Sequence, residues 1–75
     1  MRFIASIDGD YRVVLTQVSE LRWCMQIFGP KTARFDNLYD SEAEAKKDAA
    51  VFARFVLGRW AVHVPAELTW KADNS

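Results

Sequence analysis

The stretch from Tyr39 to Gly58 constrains this chain most, because it is the only part with the pattern of a long helix. Ser41 followed by Glu44 is a capping box, in which the hydroxyl accepts a hydrogen bond from the Glu44 amide. Acidic residues crowd the start of the stretch and alanines fill its middle. Gly58 stands where a left-handed C-terminal cap is favoured. The pattern predicts a helix over about 41–57.

One face of this helix is apolar, which predicts the side that packs on the rest of the chain. At about 100° per residue, the apolar stripe consists of Ala45, Ala49, Phe52, Ala53 and Val56. Val51 and Phe55 fall outside it, and two interpretations stay open for them. Either the C-terminal tail covers these side chains, or they form a second contact with a copy of the chain or another partner. Trp60, just beyond the helix, is either a seal on the core or an anchor in the same second contact.

Length and composition limit the classes of protein to consider. The chain has 75 residues, of which 51% are hydrophobic, so we expect one domain over 1–75 with one compact core. A single cysteine and a single histidine provide too few ligands for a structural zinc site. The sequence also contains no long apolar run and no signal-peptide pattern. We therefore expect a soluble, cytoplasmic protein that binds no membrane, metal or cofactor.

The part before the helix alternates between apolar and polar residues, with turn residues between the runs. Asp8, Gly9 and Asp10 are expected to form a three-residue loop, and Gly29-Pro30 is a strong breaker. After the helix we expect a short extended clasp over 59–70. The prediction is an α+β fold in which a four-stranded antiparallel meander is followed by one helix (β-β-β-β-α). The strands are expected over about 1–7, 11–18, 21–28 and 32–36.

The register of the strands is predicted by requiring every row on the helix side of the sheet to be apolar. Phe3 then lies opposite Leu15, and Leu15 lies opposite Trp23. On the next strand Met25 lies opposite Phe35. A one-residue slip would move these side chains to the other face of the sheet, so this register is favoured.

The same register leaves two rows of polar and basic side chains, with a small apolar row between them, on the face of the sheet away from the helix. The predicted rows are Ser6, Arg12, Gln26 and Arg34; Ile4, Val14 and Cys24; and Arg2, Thr16 and Arg22. Two interpretations are open: solvated arginines paired with Glu20, Asp10 or Asp36, or a surface that binds carboxylates or phosphates. The guanidinium group suits either anion because its planar fork forms paired hydrogen bonds. The predicted partner-binding residues are Arg2, Arg12, Arg22, Gln26 and Arg34.

The sequence contains no catalytic signature, so we do not expect an enzyme and assign no catalytic residues. Ten basic and ten acidic side chains give a net charge of zero, which disfavours a dedicated nucleic-acid binder. We predict a small non-enzymatic binding module or regulatory inhibitor that engages a protein through the arginine-bearing face. The alternative is a DNA- or RNA-binding module that uses the same face, and a weak homodimer is a further expectation.

The start of the helix resembles a known family. Residues 39–45 (Tyr-Asp-Ser-Glu-Ala-Glu-Ala) look like the F-D-T-x-E-E-A start of the helix in the AP2 domain and the related arm-binding domains of tyrosine integrases, and Asp48-Ala49-Ala50 extends the likeness. In that family the sheet enters the major groove, and strand arginines and a tryptophan read DNA. The resemblance implies such a role for Arg12, Arg22 and Arg34. The chain departs from the family because Trp23 is predicted on the helix side.

In size and architecture the chain is also similar, at the level of class, to small phage-encoded inhibitors such as anti-CRISPR proteins. This similarity implies an origin in a phage or mobile element and a role as a regulator.

Overall fold

A computed structural model describes residues 1–30 and 35–73 and has the predicted α+β fold. The elements are β1 (Arg2–Asp8), β2 (Tyr11–Ser19), β3 (Arg22–Phe28), β4 (Phe35–Tyr39), α1 (Glu42–Leu57), a 3-10 helix (Gly58–Trp60) and β5 (Lys71–Ala72). The antiparallel strands stand in the order β4-β3-β2-β1-β5. The described part of the sheet therefore has five strands, one more than predicted.

The fifth strand comes from the C-terminal residues, to which the sequence pattern assigned no element. Lys71 lies opposite Ile4 of β1, and the Asp73 N–H donates to the Arg2 carbonyl at 2.8 Å. The clasp expected over 59–70 is instead the end of the 3-10 helix followed by irregular chain. The outer edge of β1 has unpaired backbone groups, and pairing with β5 satisfies part of this edge.

The first hairpin keeps the predicted register with a shorter turn than expected. Phe3 lies opposite Leu15, as predicted. The turn consists of Gly9 and Asp10 alone, and the shift in pairing leaves Ile7 as an extra residue in β1. This bulge offsets the shorter turn, so the apolar side chains stay on the helix side. The φ of +56° at Gly9 is a conformation that glycine adopts without a steric penalty.

The second hairpin is displaced from the predicted register by two residues. Leu15 lies opposite Met25, so the prediction that it faces Trp23 is wrong. The turn at 20–21 is tighter than expected, and Val18 is an extra residue in β2. A displacement by two residues returns every side chain to its original face. The inner and outer faces were therefore assigned correctly although the neighbours across the strands were not.

The fourth strand ends later than predicted. It was expected over 32–36, whereas β4 spans Phe35–Tyr39; residues 31–34 lie outside the described residues. Phe35 lies opposite Ile27, so its predicted pairing with Met25 is also wrong. Asn37 and Leu38, which lie between the predicted strand and the predicted helix, are part of β4.

The helix starts as predicted. Ser41 is the N-cap, and its hydroxyl accepts a hydrogen bond from the Glu44 N–H at 3.1 Å. Lys46 lies 3.2 Å from the Glu42 carboxylate, in the favourable order four residues apart. The face of α1 that is buried against the sheet consists of Ala45, Ala49, Ala50, Ala53, Val56 and Leu57.

The end of the helix differs from the expected glycine cap. Gly58 has a right-handed conformation, with φ at −59°, and its N–H donates to the Arg54 carbonyl. The chain continues into the 3-10 helix, and the left-handed residue is Ala61, with φ at 57°. The extra turn brings Trp60 against the hydrophobic core, where the side chain is half-buried.

The core lies between α1 and the inner face of the sheet. Its largest fully buried side chains are Leu15, Met25, Ile27, Leu57 and Val13. At the β1 side, the Lys46 ammonium lies 3.7 Å from the centre of the Phe3 ring and 5.9 Å from that of Trp70. These cation–π contacts link the helix, the first strand and the C-terminal segment.

Candidate binding face

The outer face is the side of the sheet opposite α1, and within the described residues no helix or strand packs on it. Alternation along the paired strands assigns its side chains to three rows across the sheet. The rows are Arg2, Thr16, Cys24 and Leu38; Ile4, Val14, Gln26 and Asp36; and Ser6, Arg12 and Phe28. The helix therefore separates a buried inner face from an outer face with mixed apolar and charged character.

Arg12 lies in the row of the outer face nearest the turn between β1 and β2, where a neighbour on β3 holds its side chain in place. Its guanidinium carbon lies 5.3 Å from the centre of the Phe28 ring, which stands directly opposite in the register. Such a stack contributes about 0.5–1 kcal/mol at an exposed position. Among the described side chains no carboxylate lies within ion-pairing distance of Arg12. The Phe28 ring therefore holds this exposed guanidinium in place.

The other predicted arginines have different surroundings. Arg2 lies 3.3 Å from Asp73, and Arg22 lies 3.8 Å from Asp40. Neither acid is one of the partners expected from the sequence, which were Glu20, Asp10 and Asp36. Exposed pairs of this kind contribute between zero and about 1 kcal/mol. The two acids lower the positive charge at the end of the face opposite to Arg12.

The structure does not place all the predicted residues together. Gln26 is one row away from Arg12, because of the two-residue displacement, and its side-chain amide donates to Asp36 at 3.2 Å. Arg34 lies outside the described residues. The row of Gln26 consequently holds the Asp36 carboxylate, whereas the predicted row contained no acidic side chain.

A groove of about 430 Å³ lies at the β1 edge of the outer face. Its lining residues are Ile4, Ser6, Thr69, Lys71, Ala72 and Asp73. Four of these residues were not predicted to lie on the outer face: Thr69, Lys71, Ala72 and Asp73. Leu68 and Trp70 pack towards the core, whereas Thr69 and Lys71 are exposed. This alternation is a strand signal that could have assigned these residues to the outer face.

Two interpretations were open for the apolar side chains of α1 outside the predicted stripe, and the structure decides one of them. Val51 is 57% exposed and Phe55 is 80% exposed, so the prediction that the C-terminal tail covers them is wrong. The prediction that they contact a partner is untested. Trp60 is half-buried against the core, as expected for a seal.

A polar network between β4 and α1 was not predicted. The Tyr39 hydroxyl donates to the Asp48 carboxylate and accepts a hydrogen bond from the Asn37 side-chain amide at 2.9 Å. The Asn37 side-chain oxygen accepts from the Leu38 N–H at 3.1 Å. Burial and the neighbouring Asp48 raise the pKa of Tyr39 to about 12. The hydroxyl is therefore a hydrogen-bond donor that fastens the last strand to the helix.

Two other properties bear on the type of site. Over the described ranges, no group of His, Cys, Asp and Glu side chains is arranged to hold a metal ion. The helices in these ranges also lack the length and apolar character needed to cross a membrane.

The molecule is thus a small α+β protein whose sheet has one face packed and one face open in the described residues. Comparison with known proteins gives no match to a family model, to a curated protein or to a solved structure. The resemblance of the helix start to the AP2 and integrase arm-binding domains, and the likeness to small phage-encoded inhibitors, both stay predictions.

Proposed function

We propose that this chain is a small non-enzymatic binding module that engages a protein partner through the outer face. One observation carries the proposal: Arg12 is held over Phe28 at one end of a sheet face on which no described helix or strand packs. The row next to it holds half-buried Ile4 and buried Val14, and half-buried Cys24 lies in the row beyond. An apolar centre with charged groups towards its rim is the usual composition of a protein–protein interface.

The distribution of charge supports a protein partner over a nucleic acid. Asp36 lies on the outer face, and Asp73 and Asp40 lie beside two of its arginines. A phosphate backbone placed across this face would meet these carboxylates as well as the guanidinium groups. A protein surface can present groups of both signs to match them.

The role that suits such a module is regulation by occupation of a partner's surface, as in an inhibitor encoded by a phage or mobile element. The lone half-buried Cys24 suits a reducing, cytoplasmic setting for this interaction.

The test is to capture partners from a lysate of the source organism with three tagged forms of the chain. We expect the native chain to recover a defined protein in stoichiometric amount, and Arg12→Glu to lower the affinity at least about tenfold. Lys47→Glu is the matched control, since this exposed lysine lies on α1, away from the outer face. The control should bind as the native chain does.

Two results would contradict the proposal. A protein complex that survives Arg12→Glu would move the interface away from the outer face. Binding of mixed DNA or RNA that falls steeply with salt, and that Arg12→Glu removes, would favour the nucleic-acid alternative instead.

A further inference from the structure

We infer that the groove at the β1 edge of the outer face receives an acidic side chain of the protein partner. This inference rests on the proposed function, because it names the chemistry of the partner at one end of the same face. The groove volume of about 430 Å³ lies within the range of roughly 300–1,000 Å³ that is typical of ligand sites. It is therefore large enough for one side chain and part of its neighbours.

The charges around the groove favour a monovalent anion. Lys71 contributes an exposed ammonium group, and Asp73 contributes a carboxylate whose charge is offset by Arg2 at 3.3 Å. The three groups together leave one positive charge. A phosphate dianion would be repelled by Asp73, whereas a carboxylate matches the remaining charge and accepts hydrogen bonds from an ammonium group.

The remaining lining favours a carboxylate on a short aliphatic stem. Ser6 and Thr69 supply hydroxyl groups, which can donate to the carboxylate oxygens. Ile4 is half-buried and, with Ala72, provides an apolar wall. The hydroxyl donors fit the carboxylate of a Glu or Asp side chain in a peptide, and the apolar wall fits its methylene groups.

The groove is also placed by backbone pairing. Ile4 and Lys71 lie directly opposite each other on β1 and β5, so the ammonium stem and the apolar wall have a fixed spacing. The Asp73 N–H bond to the Arg2 carbonyl, at 2.8 Å, holds the far end of the groove. A site on paired strands is better defined than one on free loops.

The experiment is a nuclear magnetic resonance titration of the whole chain at constant ionic strength with three probes. The probes are a capped glutamate-leucine dipeptide, propionate and inorganic phosphate. We expect the dipeptide to shift the amide signals of Ser6, Thr69 and Lys71 saturably, with several-fold higher affinity than propionate. Lys71→Ala should weaken dipeptide binding about two- to fivefold, as expected for an exposed ion pair, and Lys71→Glu should abolish it.

Lys47→Ala is the control, since it removes an exposed lysine far from the groove and should leave the titration unchanged. The unperturbed signals of each variant report that it is folded. The inference is overturned if the three amides do not respond, if phosphate binds as well as the dipeptide, or if propionate binds equally tightly. These probes take the place of the native partner, so the titration and the capture from a lysate can fail independently. If the titration fails but an Arg12-dependent protein complex is captured, only the inference about the groove is refuted. A positive titration without any captured protein refutes the proposed function alone.

Discussion

At the residue scale, Tyr39 links the stability of the fold to pH. Its pKa is raised from 10.0 to about 12, first by burial and then by the hydrogen bond and negative charge of Asp48. The folded state thus holds the phenolic proton more tightly than the unfolded chain does. The stabilisation is fully present below pH 10 and is lost as pH rises through about 12.

We therefore expect the free energy of unfolding to fall between pH 10 and 12 in the native chain, and to fall less steeply in Tyr39→Phe. At neutral pH the same variant should lose about 1–2 kcal/mol, because Asp48 loses a hydrogen-bond donor. Urea denaturation at a series of pH values measures both effects. Equal pH slopes for the two proteins would show that the hydroxyl is not held by Asp48.

At the scale of the elements, the sequence predicted the helix and the assignment of strand faces but not the neighbours across the sheet. The capping box at Ser41 and the apolar period of α1 are local signals, and the structure confirms both. The register depends on turn length and bulges, such as that at Val18, which two-residue alternation does not reveal. The prediction therefore placed Arg12 and Gln26 on the correct face but wrongly in the same row.

The groove was missed for a related reason. It exists only because β5 returns to the free edge of β1, a long-range pairing that no short sequence window reports. The contact between Tyr39 and Asp48 likewise depends on how the last strand meets the helix. Such tertiary contacts fall outside what local propensity and periodicity determine.

The open edge of β4 gives a prediction at this scale. In the described part of the chain no strand pairs with its outer side, yet the Leu38 N–H is occupied by the Asn37 side-chain oxygen. An occupied donor cannot pair with an added strand, so this contact protects the edge. We expect Asn37→Ala to speed hydrogen exchange at the Leu38 amide and to increase self-association at high concentration.

Asn37→Asp is the matched control, because it keeps an oxygen acceptor for the Leu38 N–H while removing the donor to Tyr39. Exchange at Leu38 should stay slower in Asn37→Asp than in Asn37→Ala. If both variants exchange at the native rate, the side chain does not protect the edge.

At the scale of the whole molecule, two surfaces on opposite sides carry exposed features that folding does not use. The outer face has Arg12 and the groove, and the solvent side of α1 has Val51 and Phe55. Because the core and the sheet lie between them, binding on one side leaves the other accessible. A module of this shape can bind a partner with its sheet while its helix contacts a second copy of the chain.

We accordingly predict weak, reversible dimerisation through the solvent side of α1. Phe55 and Val51 supply the apolar centre, and exposed Glu44 and Arg54 give that side charges of both signs, which suits contact with its own copy. Two exposed apolar side chains bury far less than the roughly 800 Å² per partner of a stable interface, so the dimer should form only at high concentration.

Sedimentation equilibrium over a wide concentration range tests this prediction with two variants, in each of which serine replaces an exposed apolar side chain. Phe55→Ser should make the chain monomeric throughout and change the free energy of unfolding by no more than about 0.5 kcal/mol, because the side chain is 80% exposed. Leu21→Ser is the control, since Leu21 is 75% exposed in the turn between β2 and β3, and it should dimerise as the native chain does. A native chain that is monomeric at every concentration would refute the dimer, and a dimer that survives Phe55→Ser would place the contact elsewhere.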